Sequence, residues 1–99
     1  MKPNCECCNK DLPPNSTQAM ICSYECTFCV SCVDHVLLNV CPNCGGGLMP
    51  RPIRPQQERR QKISLKLQPA SRERVLTTFT REEIVSFARA HCEVPYEDR

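Results

Sequence analysis

The sequence predicts a small zinc-stabilised α+β domain, followed by an extended basic connector and a short C-terminal helix. Three observations lead to this fold class. Ten of the 99 residues are cysteines, nine of them lie between Cys5 and Cys44, and a helix-capping sequence stands at residues 80–83. A chain of this length buries only a modest apolar core, so metal ions or disulfides must hold the cysteine-rich part together.

The choice between metal ions and disulfides depends on the cellular compartment. The first residues, MKPNCECC, contain no apolar run of the kind that a secretory signal needs. No segment approaches the roughly 20 apolar residues of a membrane span. We therefore expect a cytoplasmic protein without a membrane partner. Its thiols stay reduced there, which disfavours a disulfide framework.

Composition divides the chain into three parts. Residues 1–49 form the predicted zinc module, residues 50–69 form a proline-containing basic connector, and residues 70–99 form a C-terminal tail. Up to Cys44 the module has two lysines against four carboxylates, a formal charge of −2. The tract from residue 51 to residue 74 has eight arginines and lysines against two glutamates, a formal charge of +6.

The cysteines from residue 5 onward alternate between close groups and longer gaps. Their order is C-x2-C, thirteen residues, C-x3-C, x2-C, x2-C, eight residues and C-x2-C. Eight thiols in this order suit two tetrahedral zinc ions. The alternative is a single zinc ribbon with the ligands Cys26, Cys29, Cys41 and Cys44. This ribbon would leave four further thiols without a role: Cys5, Cys8, Cys22 and Cys32.

This order resembles the RING finger family. In that family the first and third ligand pairs hold one ion and the second and fourth pairs hold the other, an arrangement called a cross-brace. The resemblance implies two structural zinc sites, one at Cys5, Cys8, Cys29 and Cys32, and one at Cys22, Cys26, Cys41 and Cys44. Structural zinc in finger peptides is worth on the order of 10–16 kcal/mol, which exceeds what so small an apolar core supplies.

A closer resemblance covers roughly residues 1 to 55. The segments NCECC, ICSYECTFCVSC, VCPNCGGGL and RPIRP together look like the bacterial family catalogued as domain of unknown function 1272. The resemblance implies a small bacterial cytoplasmic zinc protein and brings no established activity. The function must therefore be inferred from the residues.

The segments between the cysteines predict little regular structure. Met20 to Cys22 and Tyr24 suit a short strand pair, and Phe28 is the expected core aromatic. Residues 33–38 follow a cysteine pair as the helix of a RING does, and they predict a short helix. Beyond the module, alternating apolar residues at 63, 65 and 67 predict one short strand.

Neither predicted metal site resembles a catalytic centre. A catalytic zinc keeps an open coordination position, usually with histidine or carboxylate among its ligands, whereas four thiolates saturate the ion. The only histidines, His35 and His91, lie on different predicted elements, and no nucleophile or phosphate-binding motif is present. We therefore expect a non-enzyme without a small-molecule substrate.

Ubiquitin ligases of the RING family need surface residues beyond their zinc ligands. An aliphatic residue in the first ligand pair, a helix tryptophan and a proline in the last pair contact the conjugating enzyme there, and a basic residue follows the last cysteine. This chain has Pro42, but Cys7 replaces the aliphatic residue, Gly45 follows the last cysteine, and tryptophan is absent. Ligase activity is therefore the least favoured function.

The basic tract raises nucleic-acid binding as an alternative function, because lysines and arginines attract phosphate. Two Zn(Cys)4 sites would each carry a charge of about −2 and bring the module to about −6. The tract can therefore lie against its own module instead. Only five residues are aromatic, which leaves few side chains for base stacking. Nucleic acid is a possible partner that we do not favour.

The tail contains one strong helix signal. The sequence TREE at residues 80–83 is a capping box, and it predicts a helix from residue 81 to about residue 91. Ile84 and Phe87 line the apolar stripe of this helix. Since about eleven residues are marginal alone, the helix must dock on the zinc module, on a second copy or on a partner.

The favoured function is a non-catalytic adaptor that binds zinc and an unidentified protein partner. The residues predicted to contact this partner are Pro42, Ile84 and Phe87. The alternative is a nucleic-acid-associated zinc protein that uses the basic tract. The sequence gives no role to Cys7 or Cys92, which fall outside both predicted sites.

Overall fold

The computed structural model describes all 99 residues and contains one small antiparallel sheet and two main helices. The strands are β1 (Ala19–Ile21), β2 (Thr27–Cys29) and β3 (Met49–Pro50), in the order β2-β1-β3. The predicted strand pair is present, with one change. Tyr24 lies in the turn between β1 and β2, and its side chain is 77% exposed.

A helix is present where residues 33–38 predicted one, but α1 begins directly after β2, three residues earlier. It is α-helical over Val30–Cys32 and continues as a π-helix over Val33–Leu37. Val33 and Leu37, the first and last residues of the π-helical part, are buried. They are four positions apart and lie on one face of the helix. Leu38 ends the helix in the left-handed conformation. The wider π-helical turn has no signal in the sequence.

Helix α2 (Arg81–His91) has the predicted bounds and the predicted capping box. The Glu83 N–H donates to Thr80 Oγ1 at 3.2 Å, and the Thr80 N–H donates to Glu83 Oε1 at 3.0 Å. The helix packs on α1 and buries Ile84. Of the three docking possibilities, the structure therefore has the one within the same chain. None of the helices combines the length and apolar character that a membrane crossing requires.

Residues 63–67 do not form the predicted strand. Arg60 and Ile63 make an isolated bridge across a tight turn in which Lys62 has a left-handed backbone. The Leu67 N–H donates to Ser64 Oγ at 3.2 Å and continues the series of turns. A strand needs a neighbouring strand for its hydrogen bonds, and this segment pairs with none of the sheet.

The buried core consists largely of thiols. Phe28 is its only aromatic residue, as predicted. Six of the thirteen residues in the main buried cluster are cysteines: Cys5, Cys22, Cys26, Cys29, Cys32 and Cys41. The centre of the module is therefore the region that holds the predicted metal ligands.

The tail closes over the start of the chain. Asn4 is buried, and its side chain donates to the Val75 carbonyl at 2.8 Å and accepts the Val75 N–H at 3.2 Å. The Thr77 N–H donates to the Glu6 carbonyl at 2.8 Å. These contacts fix residues 75–77 along the N-terminal loop.

Three arginines of the basic tract make hydrogen bonds inside the molecule, and one of them is Arg54, which donates to the Gln68 carbonyl. Arg51 is only 6% exposed, and its guanidinium donates to three backbone carbonyls of the N-terminal loop. Arg74 forms an ion pair with Asp11 at 2.7 Å. Part of the tract thus lies against the acidic module.

Candidate metal centres

The first thiol cluster contains the four cysteines that the cross-brace implies. Cys5 and Cys8 come from the N-terminal loop, Cys29 ends β2, and Cys32 lies in α1. Their four sulfur atoms all lie within 4.8 Å of one another. The sulfurs of Cys8 and Cys29 are 3.7 Å apart. A tetrahedral ion with Zn–S bonds of about 2.3 Å places its sulfurs about 3.8 Å apart, so this donor set fits a single ion.

Backbone hydrogen bonds shape the loop that supplies the first two ligands. The Cys5 N–H donates to the Lys10 carbonyl at 2.8 Å, and the Asn9 N–H donates to the Cys5 carbonyl at 2.9 Å. Asn9 adopts a left-handed backbone, which asparagine tolerates better than most residues. The resulting tight turn brings both sulfurs to the same cluster.

The second thiol cluster brings together three of its four predicted ligands. The sulfurs of Cys22, Cys26 and Cys41 lie within 4.8 Å of one another. Cys44 lies on the same turn as Cys41, closed by a 2.7 Å hydrogen bond from the Gly45 N–H to the Cys41 carbonyl. Its exposed sulfur falls outside that mutual distance.

The two clusters separate cysteines that are neighbours in the sequence. Cys26 joins the second cluster, whereas Cys29 joins the first. A single ribbon would need both cysteines on one ion, so the structure contradicts that alternative. Two cysteines stay outside both clusters, since Cys7 packs partly against the core and Cys92 follows α2. All ten thiols are free of disulfide bonds.

Backbone amides donate to sulfur in the second cluster. The Tyr24 N–H donates to Cys22 Sγ at 3.3 Å, and the Gly46 N–H donates to Cys44 Sγ at 3.4 Å. Both donors lie two residues after the cysteine. Hydrogen bonds of this kind orient metal ligands, and Cys44 accepts the same type of hydrogen bond as Cys22 although its sulfur lies outside the cluster.

The surroundings of the thiols disfavour isolated thiolates. Burial raises the pKa of Cys5 to about 11, and burial together with neighbouring thiolates also raises the pKa of Cys32. Burial acts on Cys8 in the same direction, but hydrogen bonds from the Lys10 backbone and from neighbouring thiols lower its pKa overall. A divalent cation would replace the thiol protons and relieve the repulsion among thiolates.

Two site residues were missed by the sequence analysis. Glu6 is 3% exposed, and its carboxylate accepts the Thr27 N–H at 2.7 Å and pairs with Lys2 Nζ at 3.0 Å. The Asn43 amide donates to the same carboxylate at 3.5 Å. The sequence signal for Glu6 was its position between Cys5 and Cys8, with Lys2 four residues earlier.

The predicted partner-binding residues do not form an exposed surface. Pro42 is buried, Ile84 is 3% exposed and Phe87 is half-buried. They line a cavity of about 210 Å³ between α2 and the last cysteine pair, together with Phe79 and Glu83. Helix α2 folds back over Pro42 with its apolar stripe, and partner binding by these three residues stays a prediction.

Comparisons with known proteins found a family model and a relative that match this chain. The family model described as "Protein of unknown function (DUF1272)" matches residues 1–54, which include all eight predicted ligands. An uncharacterized protein of Rhizobium meliloti (strain 1021) is 54% identical over 76 residues, covering 77% of this chain and 83% of the relative. No solved structure matches.

Proposed function

The chain belongs to the DUF1272 family of proteins of unknown function, and from this starting point we propose that it is a non-catalytic zinc-binding adaptor that binds another protein. The observation that carries the proposal is the interleaving of two buried thiol clusters. Interleaved ions tie distant chain segments into a small rigid body, and rigid bodies of this size serve well as binding surfaces.

Zinc is the metal that we propose for both clusters. Sets of four thiolates in tetrahedral arrangement select zinc or iron over calcium and magnesium, which prefer oxygen ligands. The 3.7 Å sulfur separation in the first cluster suits one ion. When bound, zinc supplies positive charge and cross-links. In the second cluster it requires Cys44 to turn its sulfur toward the other three.

A structural role for the metal follows from its donors. Four sulfur ligands leave no coordination position for a substrate or an activated water molecule. His35 and His91 are both exposed and lie on different helices, so neither supports a reaction at a thiol cluster. These features support a binding function rather than catalysis.

The adaptor function is tested by recovering a partner from the native bacterial cell. A tagged chain is cross-linked in cells, purified and compared with a Cys5→Ser/Cys41→Ser variant that loses one ligand of each cluster. We expect a specific protein to be recovered with the intact chain only. Recovery that disappears after nuclease treatment, or equal recovery with the variant, would contradict the adaptor function.

Nucleic-acid binding stays the second candidate because part of the basic tract remains free. Five of its cations are exposed and form no ion pair within the chain: Arg59, Arg60, Lys62, Lys66 and Arg72. Fluorescence anisotropy with DNA and RNA at two salt concentrations tests this candidate. Binding that weakens steeply with salt and is lost on Arg59→Ala/Arg60→Ala would favour it over the adaptor.

Ubiquitin ligation has the least support of the three functions. Of the four surface features of RING ligases, the sequence retains only Pro42, and in the structure this residue is buried beneath α2. A conjugating enzyme would have to displace the helix before it reached Pro42. A ubiquitin-discharge assay that depended on Pro42 would reverse this ranking.

A further inference from the structure

A second surface of the module has the features of a binding site. It is a groove of about 640 Å³, and it contains no residue of α2. The β1–β2 turn with Tyr24 forms one wall, the connector residues 52–55 form the other, and Ile21 and Thr27 contribute to the lining between them. The groove is therefore separate from the face that α2 covers.

Large apolar side chains are exposed along the groove. Tyr24 is 77% exposed and Ile53 is 47% exposed. Ile21, the last residue of β1, is half-buried. The module has few apolar residues for its own core, yet it leaves these side chains in water. Tyrosine is enriched at protein interfaces because its ring offers a large apolar area with a hydroxyl that can donate.

The groove is held open by the fold of the module. Arg51 begins the connector wall, and its guanidinium donates to the carbonyls of Lys2 at 2.8 Å, Leu12 at 3.3 Å and Pro13 at 3.0 Å. Its Nε is buried without a hydrogen-bond partner. The prolines of the wall fix an extended backbone. A preformed groove of this kind binds without first ordering its own residues.

The charges of the lining select the occupant. Lys2, Arg51 and Arg54 line the groove together with one carboxylate, that of Glu25. Lys2 is paired with Glu6 and Arg51 is buried on backbone carbonyls, which leaves Arg54, bonded to the neutral Gln68 carbonyl, as the cation without a carboxylate partner. With both clusters loaded, the module up to Cys44 would carry a charge of about −6, so this groove is a positive region on an acidic body. Cationic grooves in such a setting steer negatively charged ligands.

We propose that this groove binds an extended acidic segment of a partner protein, with an apolar side chain packed between Tyr24 and Ile53 and a carboxylate beside Arg54. The proposal rests on the adaptor function and names its surface and the chemistry of its partner. A peptide is favoured over nucleic acid because Tyr24 is the only aromatic side chain in the lining. Binding of a single strand relies on several stacked bases, which one ring cannot supply.

The test is a selection of random displayed peptides on the full zinc-loaded chain, followed by affinity measurements with labelled copies of the enriched peptides. We expect acidic peptides that contain at least one large apolar residue. Tyr24→Ala and Arg54→Glu should each weaken their binding by about tenfold or more, corresponding to about 1.4 kcal/mol. Arg89→Glu, a charge reversal at an exposed position of α2, is the matched control and should bind like the wild type.

The outcomes separate this inference from the proposed function. Enriched peptides that are basic, or that bind Tyr24→Ala and Arg54→Glu as tightly as the wild type, would overturn the groove assignment. Tyr24-dependent binding of a DNA or RNA oligonucleotide would overturn the choice of a peptide. If the native partner is recovered equally by the Tyr24→Ala chain, the adaptor function stands and only the groove inference fails. The zinc content of each variant verifies that the module is intact.

Discussion

Glu6 is a buried carboxylate that lies between the first two ligands of one thiol cluster. It contacts Lys2, Thr27 and Asn43, of which Asn43 stands between Cys41 and Cys44 of the second predicted site. A buried carboxylate is tolerated only when its oxygens are paired, and here both oxygens have partners.

We predict that Glu6→Gln destabilises the zinc-loaded protein by about 1–3 kcal/mol, because the amide cannot replace a charged acceptor for both Lys2 and the Thr27 N–H. Denaturant unfolding followed by circular dichroism measures the change. Glu82→Gln, at an exposed position of α2, is the matched control and should stay within about 0.5 kcal/mol of the wild type. Equal stability of the two variants would show that the Glu6 charge is dispensable.

Gly47 is a second residue whose identity is fixed by a neighbour. A side chain at this position would overlap the ring of Tyr96, which lies directly against the glycine backbone. We predict that Gly47→Ala displaces the C-terminal turn and increases hydrogen exchange in residues 92–99. The same change in a Tyr96→Ala background should have little further effect, because the overlapping ring is gone. Additive effects of the two substitutions would argue against this contact.

At the scale of the element, α2 depends on its contact with α1. Ile84 belongs to the main buried cluster, so Ile84→Ala should destabilise the protein by about 2–5 kcal/mol, the range for large buried side chains. Ser86→Ala changes an exposed position of the same helix and is the control. Unfolding curves measure both. A small loss for Ile84→Ala, with normal exchange protection of the module, would mean that α2 is only loosely docked.

Elements with local signals were predictable from the sequence. The bounds of α2 follow from a capping box, whose hydrogen bonds lie within four residues. The strand predicted at residues 63–67 was wrong because alternation is local but strand pairing is not, and no neighbouring strand is available. The π-helical part of α1 also has no local cause, since the packing of Val33 and Leu37 on the thiol core determines it.

The same distinction applies to the site residues. Cysteine spacing with the RING resemblance predicted which cysteines come together, and the structure places seven of those eight in two clusters. The burial of Pro42 and Ile84 depends on how the tail folds back, which spacing does not encode. The buried position of Arg51 likewise depends on carbonyls of a loop about 40 residues earlier.

At the scale of the whole molecule, the two clusters replace the apolar core that a 99-residue chain lacks. We predict two zinc ions per chain by elemental analysis and loss of tertiary structure when a chelator removes them, because six cysteines stand in the main buried cluster. One ion per chain, or a chelated protein that keeps its near-ultraviolet circular dichroism, would contradict the interleaved arrangement.

Interleaving also predicts that neighbouring cysteines act on different ions. In cobalt-loaded protein, Cys26→Ser should alter the absorption of one site and Cys29→Ser the absorption of the other, because their sulfurs belong to different clusters. Cys44→Ser should alter the same site as Cys26→Ser if Cys44 completes that cluster. Identical changes from Cys26→Ser and Cys29→Ser would place both sulfurs on one ion.

The hydrogen bonds between Asn4 and Val75 have a consequence for how the protein is made. They join residues 71 positions apart, so Asn4 meets its partner only after the tail segment has been synthesised. The first thiol cluster can assemble once Cys32 has emerged, and the second must wait for Cys41. Until residue 75 arrives, the nascent chain exposes the Asn4 side chain to water.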